Sequence, residues 1–158
     1  MSIQQAREYL SKFGYADRIR EFDVSSATVP LAALALGCEE GRIAKTLSFK
    51  VGDRCILIVA AGYAKIDNAK YKAQFQTKAK MLTFDEVEPM TGHAVGGVCP
   101  FGIRDGVEVY LDDSLRRYET VFPACGSANS AIELTIEELE KLSGFTCWID
   151  VCKVCDGA

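Results

Sequence analysis

The residues that could do chemistry in this chain are few, and they stand in three places. Lys45 lies within Ile43-Ala44-Lys45-Thr46-Leu47-Ser48-Phe49. Strand alternation puts Ile43, Lys45, Leu47 and Phe49 on one face and Ala44, Thr46 and Ser48 on the other. A lysine among large apolar face-mates either carries its ammonium to the rim or holds it in a cleft, where partial desolvation strengthens its pull on an anionic or polar ligand. The second place is Gly96-Gly97-Val98-Cys99-Pro100-Phe101-Gly102. Its glycines and proline demand backbone dihedrals that neither helix nor long strand uses, and they clear side chains so that main-chain N–H groups can approach a small ligand. A tight connection between two strands would read the same. Cys99 is a nucleophile only if a base, a cation or a helix N-terminus lowers its pKa, and the sequence names no such partner. The third place is Cys152-Lys153-Val154-Cys155, which has metal or redox spacing but no second cysteine pair. His93, the single histidine, stands beside Gly92 with no acid and nucleophile at motif spacing, and reads as structural.

What is missing narrows the chemistry further. There is no GxxxxGK[ST] phosphate loop, no dinucleotide-binding GxGxxG and no GxSxG nucleophile elbow. A lone histidine argues against a zinc hydrolase. The net charge of −4 argues against broad binding of a nucleic-acid backbone, while leaving room for a small basic face at Lys65, Lys70, Lys72, Lys78 and Lys80. Seven scattered cysteines read as free thiols of a reducing compartment. With no apolar run of membrane-spanning length and no signal-peptide pattern, the expected location is cytoplasmic. At 158 residues, 49% of them hydrophobic, the chain is expected to form a single domain over residues 1–158.

The elements that must position these residues follow from local pattern. Ile3, Ala6, Leu10 and Phe13 recur at helical spacing up to Gly14. Arg18 to Phe22 alternates as a strand, and Ser25, Ser26 and Thr28 ahead of Pro30 mark the start of a helix over Val29 to Leu36, apolar enough to be buried, that Gly37 ends. Ile43–Phe49 and Cys55–Ala61 form a hairpin turned at Gly52-Asp53, with the second strand central in its sheet. Asp67 caps a helix to about Thr77, and Lys80 to Thr83 is a short strand. Thr83 with Glu86, and Thr135 with Glu138, are capping boxes opening helices that Gly92 and Gly144 close. Strands are expected at Val107–Leu111, Glu119–Phe122, Ala131–Leu134 and Thr146–Val151, with one helical turn over Ser114–Arg117. The regular βα alternation of a doubly wound fold is absent. The expected class is α+β, a mixed, mainly antiparallel β-sheet flanked by helices.

Lys45-Thr46-Leu47 after the apolar helix, the apolar strand, Gly96 to Gly102 with its GxxxP pattern from Gly96 to Pro100, then Leu111-Asp112-Asp113-Ser114-Leu115 and Ala124-Cys125-Gly126, occur in an order that resembles the YbaK/prolyl-tRNA synthetase-associated domain family. The resemblance runs from about Phe22 to Leu142. It implies a mixed sheet flanked by helices and hydrolysis of the ester of a mischarged aminoacyl-tRNA, in the manner of the free-standing deacylases. For Lys45 it implies the catalytic position, in contact with the terminal adenosine and its phosphate. For Gly96, Gly97, Val98, Cys99, Pro100, Phe101 and Gly102 it implies a loop whose backbone contacts the aminoacyl group. It extends substrate contact to Phe22, Thr46, Asp112 and Gly126. It implies no metal and no cofactor, aminoacyl-tRNA as partner through its acceptor end, and a synthetase as a further partner. Ala124-Cys125-Gly126-Ser127-Ala128-Asn129 departs from the basic, glycine-rich form of the cysteinyl-tRNA(Pro) deacylase branch, so a serine, threonine or alanine substrate stands beside cysteine.

An aminoacyl ester is already activated toward water, so a protein that holds ester, water and oxyanion donors in line needs no strong nucleophile. The absence of catalytic kits is therefore compatible with a trans-acting deacylase of a small amino acid on tRNA(Pro) or a related tRNA. Two other readings stay open: a non-catalytic module that binds tRNA, a synthetase or a small amino-acid derivative, and a thiol hydrolase using Cys99.

Overall fold

A computed structural model describes residues 2–154. Helix α1 (Ser2–Ser11) leads through a 3-10 turn at Ala16–Arg18 into a two-residue strand β1 (Arg20–Glu21), shorter than the expected Arg18–Phe22 because the 3-10 turn takes up its start. Helix α2 (Val29–Leu36) begins at Thr28, whose hydroxyl accepts from Leu31 N–H, carries Pro30 in its first turn and stops at Gly37 in the left-handed region. Strands β2 (Ile43–Val51) and β3 (Arg54–Ala61) make the expected hairpin, and β4 (Ala64–Ile66) follows. Helix α3 (Asn68–Phe75) is capped by Asp67, and α4 (Phe84–Thr91) opens on the Thr83–Glu86 capping box and closes at Gly92. Then come β5 (Glu108–Asp112), a 3-10 turn at Asp113–Arg117, β6 (Thr120–Pro123), β7 (Ser130–Ala131) and β8 (Leu134–Thr135). Helix α5 (Ile136–Ser143), with its Thr135–Glu138 capping box, precedes β9 (Cys147–Ile149) and β10 (Cys152–Val154).

Six strands form one sheet in the order β8-β6-β2-β3-β5-β9. The β2–β3 and β6–β8 neighbours are antiparallel, and β2–β6, β3–β5 and β5–β9 are parallel. With the small antiparallel pairs β1–β7 and β4–β10, the fold is α+β with mixed and mainly antiparallel pairing. Strand β3 lies inside the sheet with Cys55 to Ala61 buried, so its apolar run covers both faces. On one face Leu57, Val59, Val109 and Leu111 pack with Ala6 and Leu10 of α1, Leu139 and Leu142 of α5, and Cys99 and Phe101 of the glycine loop. On the other, Phe49, Ile56, Ile58 and Tyr110 pack with Tyr71 of α3.

Three further expectations are corrected. The strand at Lys80–Thr83 reduces to one bridge, Phe49 to Met81, because α4 starts at Phe84 and pulls the chain away. The single strand at Ala131–Leu134 is two: Ser130–Ala131 pairs with β1 and Leu134–Thr135 with β6, since Ile132 between them bonds back to the Pro123 carbonyl. Helix α2 is not buried all round. Only Ala32 and Ala33 are inside, packed on Ile43 and Phe122, and Leu34 is 80% exposed. Lying at the sheet's margin, it has one side to bury.

Candidate functional site

The site begins where two strands part. Strand β6 runs beside β2 only at Ile43–Phe122 and Ala44–Pro123. Further along, Leu82 N–H donates to Ser48 O at 3.2 Å and Lys50 N–H to Lys80 O at 2.8 Å, so Ser48 and Lys50 turn their main-chain groups away from β3. Main-chain groups on one side of a strand recur every second residue. Thr46 therefore directs its N–H and C=O into the gap between the end of β6 and the Leu82 segment. Its side chain shares the face of Ala44 and Ser48, and its Oγ1 is buried without a hydrogen-bond partner.

That gap is the mouth of a cleft of about 540 Å³, with Thr46 on its wall beside Lys45 and Ser48. The cleft is lined further by Val95, just before the glycine loop, and by Gly96 and Val98 within it; α2 contributes Val29 and Ala32, α4 contributes Phe84 and Val87, and Ala124, Ser130 and Ala131 complete the lining. An apolar interior with a few polar groups from one strand suits a small organic ligand.

The glycine loop is built by close approach. Gly97 lies so near the Gly126–Ser127 backbone that a Cβ on it would stand 2.4 Å from the Ser127 nitrogen, which no side chain tolerates. Gly96 has φ of +90° and faces the methyl groups of Ala27 and Ala128, joining the start of α2 to the loop before β7. The Gly97 N–H donates to Ala94 O at 3.0 Å. Gly102 packs on the Gln5 carbonyl of α1.

Among the residues expected to form the site, the structure brings Lys45, Thr46, Gly96 and Val98 together on the cleft wall. The Lys45 ammonium turns toward the β3–β4 turn, donating to Gly62 O at 3.2 Å and to the Ala64 carbonyl. Gly97 and Gly126 stand one layer back, as each other's packing partner. Pro100 is buried in the same loop. Phe22 is half-buried and tied to Asn129 by the bond from its N–H to Asn129 O at 2.8 Å and by Asn129 Nδ2 donating to Phe22 O at 2.9 Å. Asp112 is buried, its Oδ2 accepting from Ser114 N–H and its Oδ1 from Val151 N–H, both at 2.9 Å. It holds the 3-10 turn and the approach to β10 in place.

Cys99 and His93 meet in the core. The Cys99 Sγ lies 3.6 Å from His93 Nε2, which donates to Phe101 O at 2.6 Å, while Nδ1 has no partner. Burial pushes the Cys99 thiol up to about 12 and holds the imidazole below its ordinary value. Both are neutral and sealed away, the opposite of what an activated thiolate needs. Among the described residues no group of three or more His, Cys, Asp or Glu is placed to hold a metal ion, and Cys155 of the CxxC lies outside the described residues. No described helix is long and apolar enough to cross a membrane.

Met81, Phe84 and Val95 at the cleft mouth escaped the sequence reading. Phe84 is the first residue of α4, before Asp85 and Glu86, and an apolar residue at the start of an acidic turn was the one available signal.

Comparison with known proteins gives the family. The sequence model of the aminoacyl-tRNA editing domain matches residues 24–142. The uncharacterized protein YwhH of Bacillus subtilis (strain 168) is 54% identical over 154 residues, covering 97% of this chain and 98% of its own. A proposed Cys-tRNA(Pro)/Cys-tRNA(Cys) deacylase, EbsC, of Enterococcus faecalis (strain ATCC 700802 / V583) is 32% identical over 114 residues, 70% of this chain and 69% of its own. Among solved structures, a proposed trans-editing enzyme for prolyl tRNA synthetase superposes with a TM-score of 0.86 at 29% identity, over 96% of this chain and 97% of that one. A match spanning most of the chain, with a deacylase-type relative and a full-length structural counterpart, places this chain in the aminoacyl-tRNA editing domain family.

Proposed function

We propose that the chain is a trans-acting deacylase that hydrolyses the ester linking a small amino acid to a mischarged tRNA, tRNA(Pro) or a related one. The observation that carries this reading is the free strand edge at Thr46: a main-chain donor and a main-chain acceptor facing an apolar cleft roofed by the glycine loop, with a buried, unpartnered hydroxyl beside them. The names of EbsC and of the trans-editing structure support the same class of substrate.

In this reading the Thr46 C=O receives the α-ammonium of the aminoacyl group and the Thr46 N–H faces the ester carbonyl. Water adds to the carbonyl carbon, the oxyanion is held by main-chain N–H, and the carbon–oxygen bond to the ribose breaks as the sugar oxygen takes up a proton. A donor fixed before the reaction needs no reorganisation when the charge develops, which is where most of the rate would come from. Lys45 adds a fixed positive charge beside that edge. The small residues Ala32, Ala44, Ala124 and Ala131 leave room for a short side chain, and Val87 and Val98 limit its length. Such a pocket rejects larger residues on size.

The test is a panel of tRNAs charged with cysteine, serine, alanine, threonine and proline, with wild-type protein and Lys45→Ala. Loss of one or more amino acids faster than in buffer, slowed by Lys45→Ala, supports the reading; no loss from any of them, or a Lys45→Ala rate equal to wild type, overturns it. The neutral, buried Cys99–His93 pair counts against the thiol hydrolase, and the acidic net charge with the scarcity of catalytic side chains favours one second reading, a non-catalytic module that binds tRNA, a synthetase or an amino-acid derivative in the same cleft. That module would bind without turnover, and the binding would survive Lys45→Ala.

A further inference from the structure

The cleft mouth carries a feature that ester hydrolysis does not use. Phe84, Met81 and Val95 all line the opening, yet they are 78%, 55% and 47% exposed. Three large apolar side chains left in water around one opening form a surface that something covers. The position decides what. An amino acid inside the cleft is esterified to the terminal ribose of the RNA, so the base on that ribose must stand at the mouth, within one sugar's reach of the ester. Lys78 and Lys80, both exposed, precede Met81 in the same segment and supply positive charge within a few residues of the mouth. An exposed ring whose own segment brings two exposed lysines, on an otherwise acidic protein, has the two parts that hold a single-stranded nucleic-acid end without reading its sequence, an aromatic face and positive charge for the backbone.

From this we infer that Phe84 is the stacking platform for the unpaired 3′-terminal base of the RNA, with Met81 and Val95 closing its edges and Lys78 and Lys80 neutralising the adjoining phosphates. The inference rests on the deacylase reading for the identity of the ligand, and the two can fail separately. Phe84 is a positioning residue: it sets how tightly the substrate end is held and leaves the ester chemistry alone.

The experiment measures binding of an acceptor-stem RNA with an intact single-stranded 3′ tail, and of the same RNA with an abasic 3′-terminal nucleotide, to wild-type protein, Phe84→Ala, Phe84→Leu and Phe84→Tyr at fixed salt. Stacking predicts that Phe84→Ala and Phe84→Leu weaken binding of the intact RNA by roughly 5- to 150-fold, that Phe84→Tyr retains it, and that the abasic RNA binds all four proteins alike. On the charged tRNA that the panel identifies, KM rises by the same factor with kcat unchanged. Equal binding of intact RNA by wild type and Phe84→Ala, full binding by Phe84→Leu, or equal weakening on the abasic RNA overturns the inference. Turnover by wild type with no effect of Phe84→Ala removes the platform and leaves the deacylase; Phe84-dependent RNA binding without turnover of any charged tRNA does the reverse. Because Phe84 is exposed, an unchanged thermal melt of Phe84→Ala confirms that the fold is intact.

Discussion

Replacing Thr46 with valine should make the protein more stable and less active. Valine keeps the branched shape and removes only Oγ1, which has no hydrogen-bond partner in the folded protein. A buried hydroxyl without a partner costs about 1–3 kcal/mol, and because Thr46 is only partly buried the lower end applies. About 1 kcal/mol in a chain of this size raises Tm by about 2–4 °C. With substrate bound the sign reverses. A hydroxyl that meets a neutral substrate group contributes about 0.5–1.5 kcal/mol, a loss of roughly 2- to 12-fold in kcat/KM; one that meets the α-ammonium contributes about 1.5–3 kcal/mol, roughly 12- to 160-fold. The measurements are a thermal melt and deacylation of the charged tRNA under kcat/KM conditions, with Thr46→Ser as the control that keeps the hydroxyl. A lower Tm would mean the hydroxyl is satisfied in the folded protein. An unchanged kcat/KM would mean the substrate does not reach this strand edge, and the placement of the ester along β2 would be wrong.

Two further outcomes follow from the packing. Gly97→Ala forces a methyl group against the Ser127 nitrogen and the Gly126 carbonyl carbon, at 2.4 and 2.5 Å, so the glycine loop must lift from the turn before β7. This should cost about 1–3 kcal/mol, a fall in Tm of about 2–12 °C, and reduce deacylation beyond the loss of folded protein; a variant with wild-type Tm and rate refutes the close approach. His93 is held neutral by burial, with its pKa below the ordinary 6.5. Below pH 6.5 the unfolded chain takes up a proton that the folded one refuses, so stability is full above that pH and falls as pH drops toward the depressed value. His93→Gln should flatten denaturant-measured stability between pH 6.5 and the onset of carboxylate titration near 4.5, while Glu138 and Glu86, each held at about 2 by bonds from Arg18 and Lys50 respectively, contribute to the fall below that. An equally steep decline in His93→Gln would assign the upper window to another group.

Local signals were strong where the chain speaks to its near neighbours. The caps at Asp67, Thr83 and Thr135 and the stops at Gly37, Gly92 and Gly144 depend on hydrogen bonds and dihedrals within a few residues and were legible, while for α2 the sequence offered Ser25, Ser26 and Thr28 and the fold selected Thr28. So was the β2–β3 hairpin, and the central place of β3 followed from an apolar run with no polar face. Short strands were not legible. The separate partners of Ser130–Ala131 and Leu134–Thr135, and the pairing of Cys152–Val154 with Ala64–Ile66, are set by neighbours far along the chain.

The site divides the same way. The amino-acid order put Lys45-Thr46 on a strand and Gly96 to Gly102 in a loop that only glycine can build, because those constraints are carried by each residue's own side chain or lack of one. The tertiary structure decided what the two segments enclose. It ended β6 early so that Thr46 faces a cleft, turned the Lys45 ammonium toward the Gly62 and Ala64 carbonyls, sealed Cys99 beside His93, and carried Phe84 to the mouth. Each depends on where one strand stops relative to another, a property of the packed sheet that no window of sequence contains.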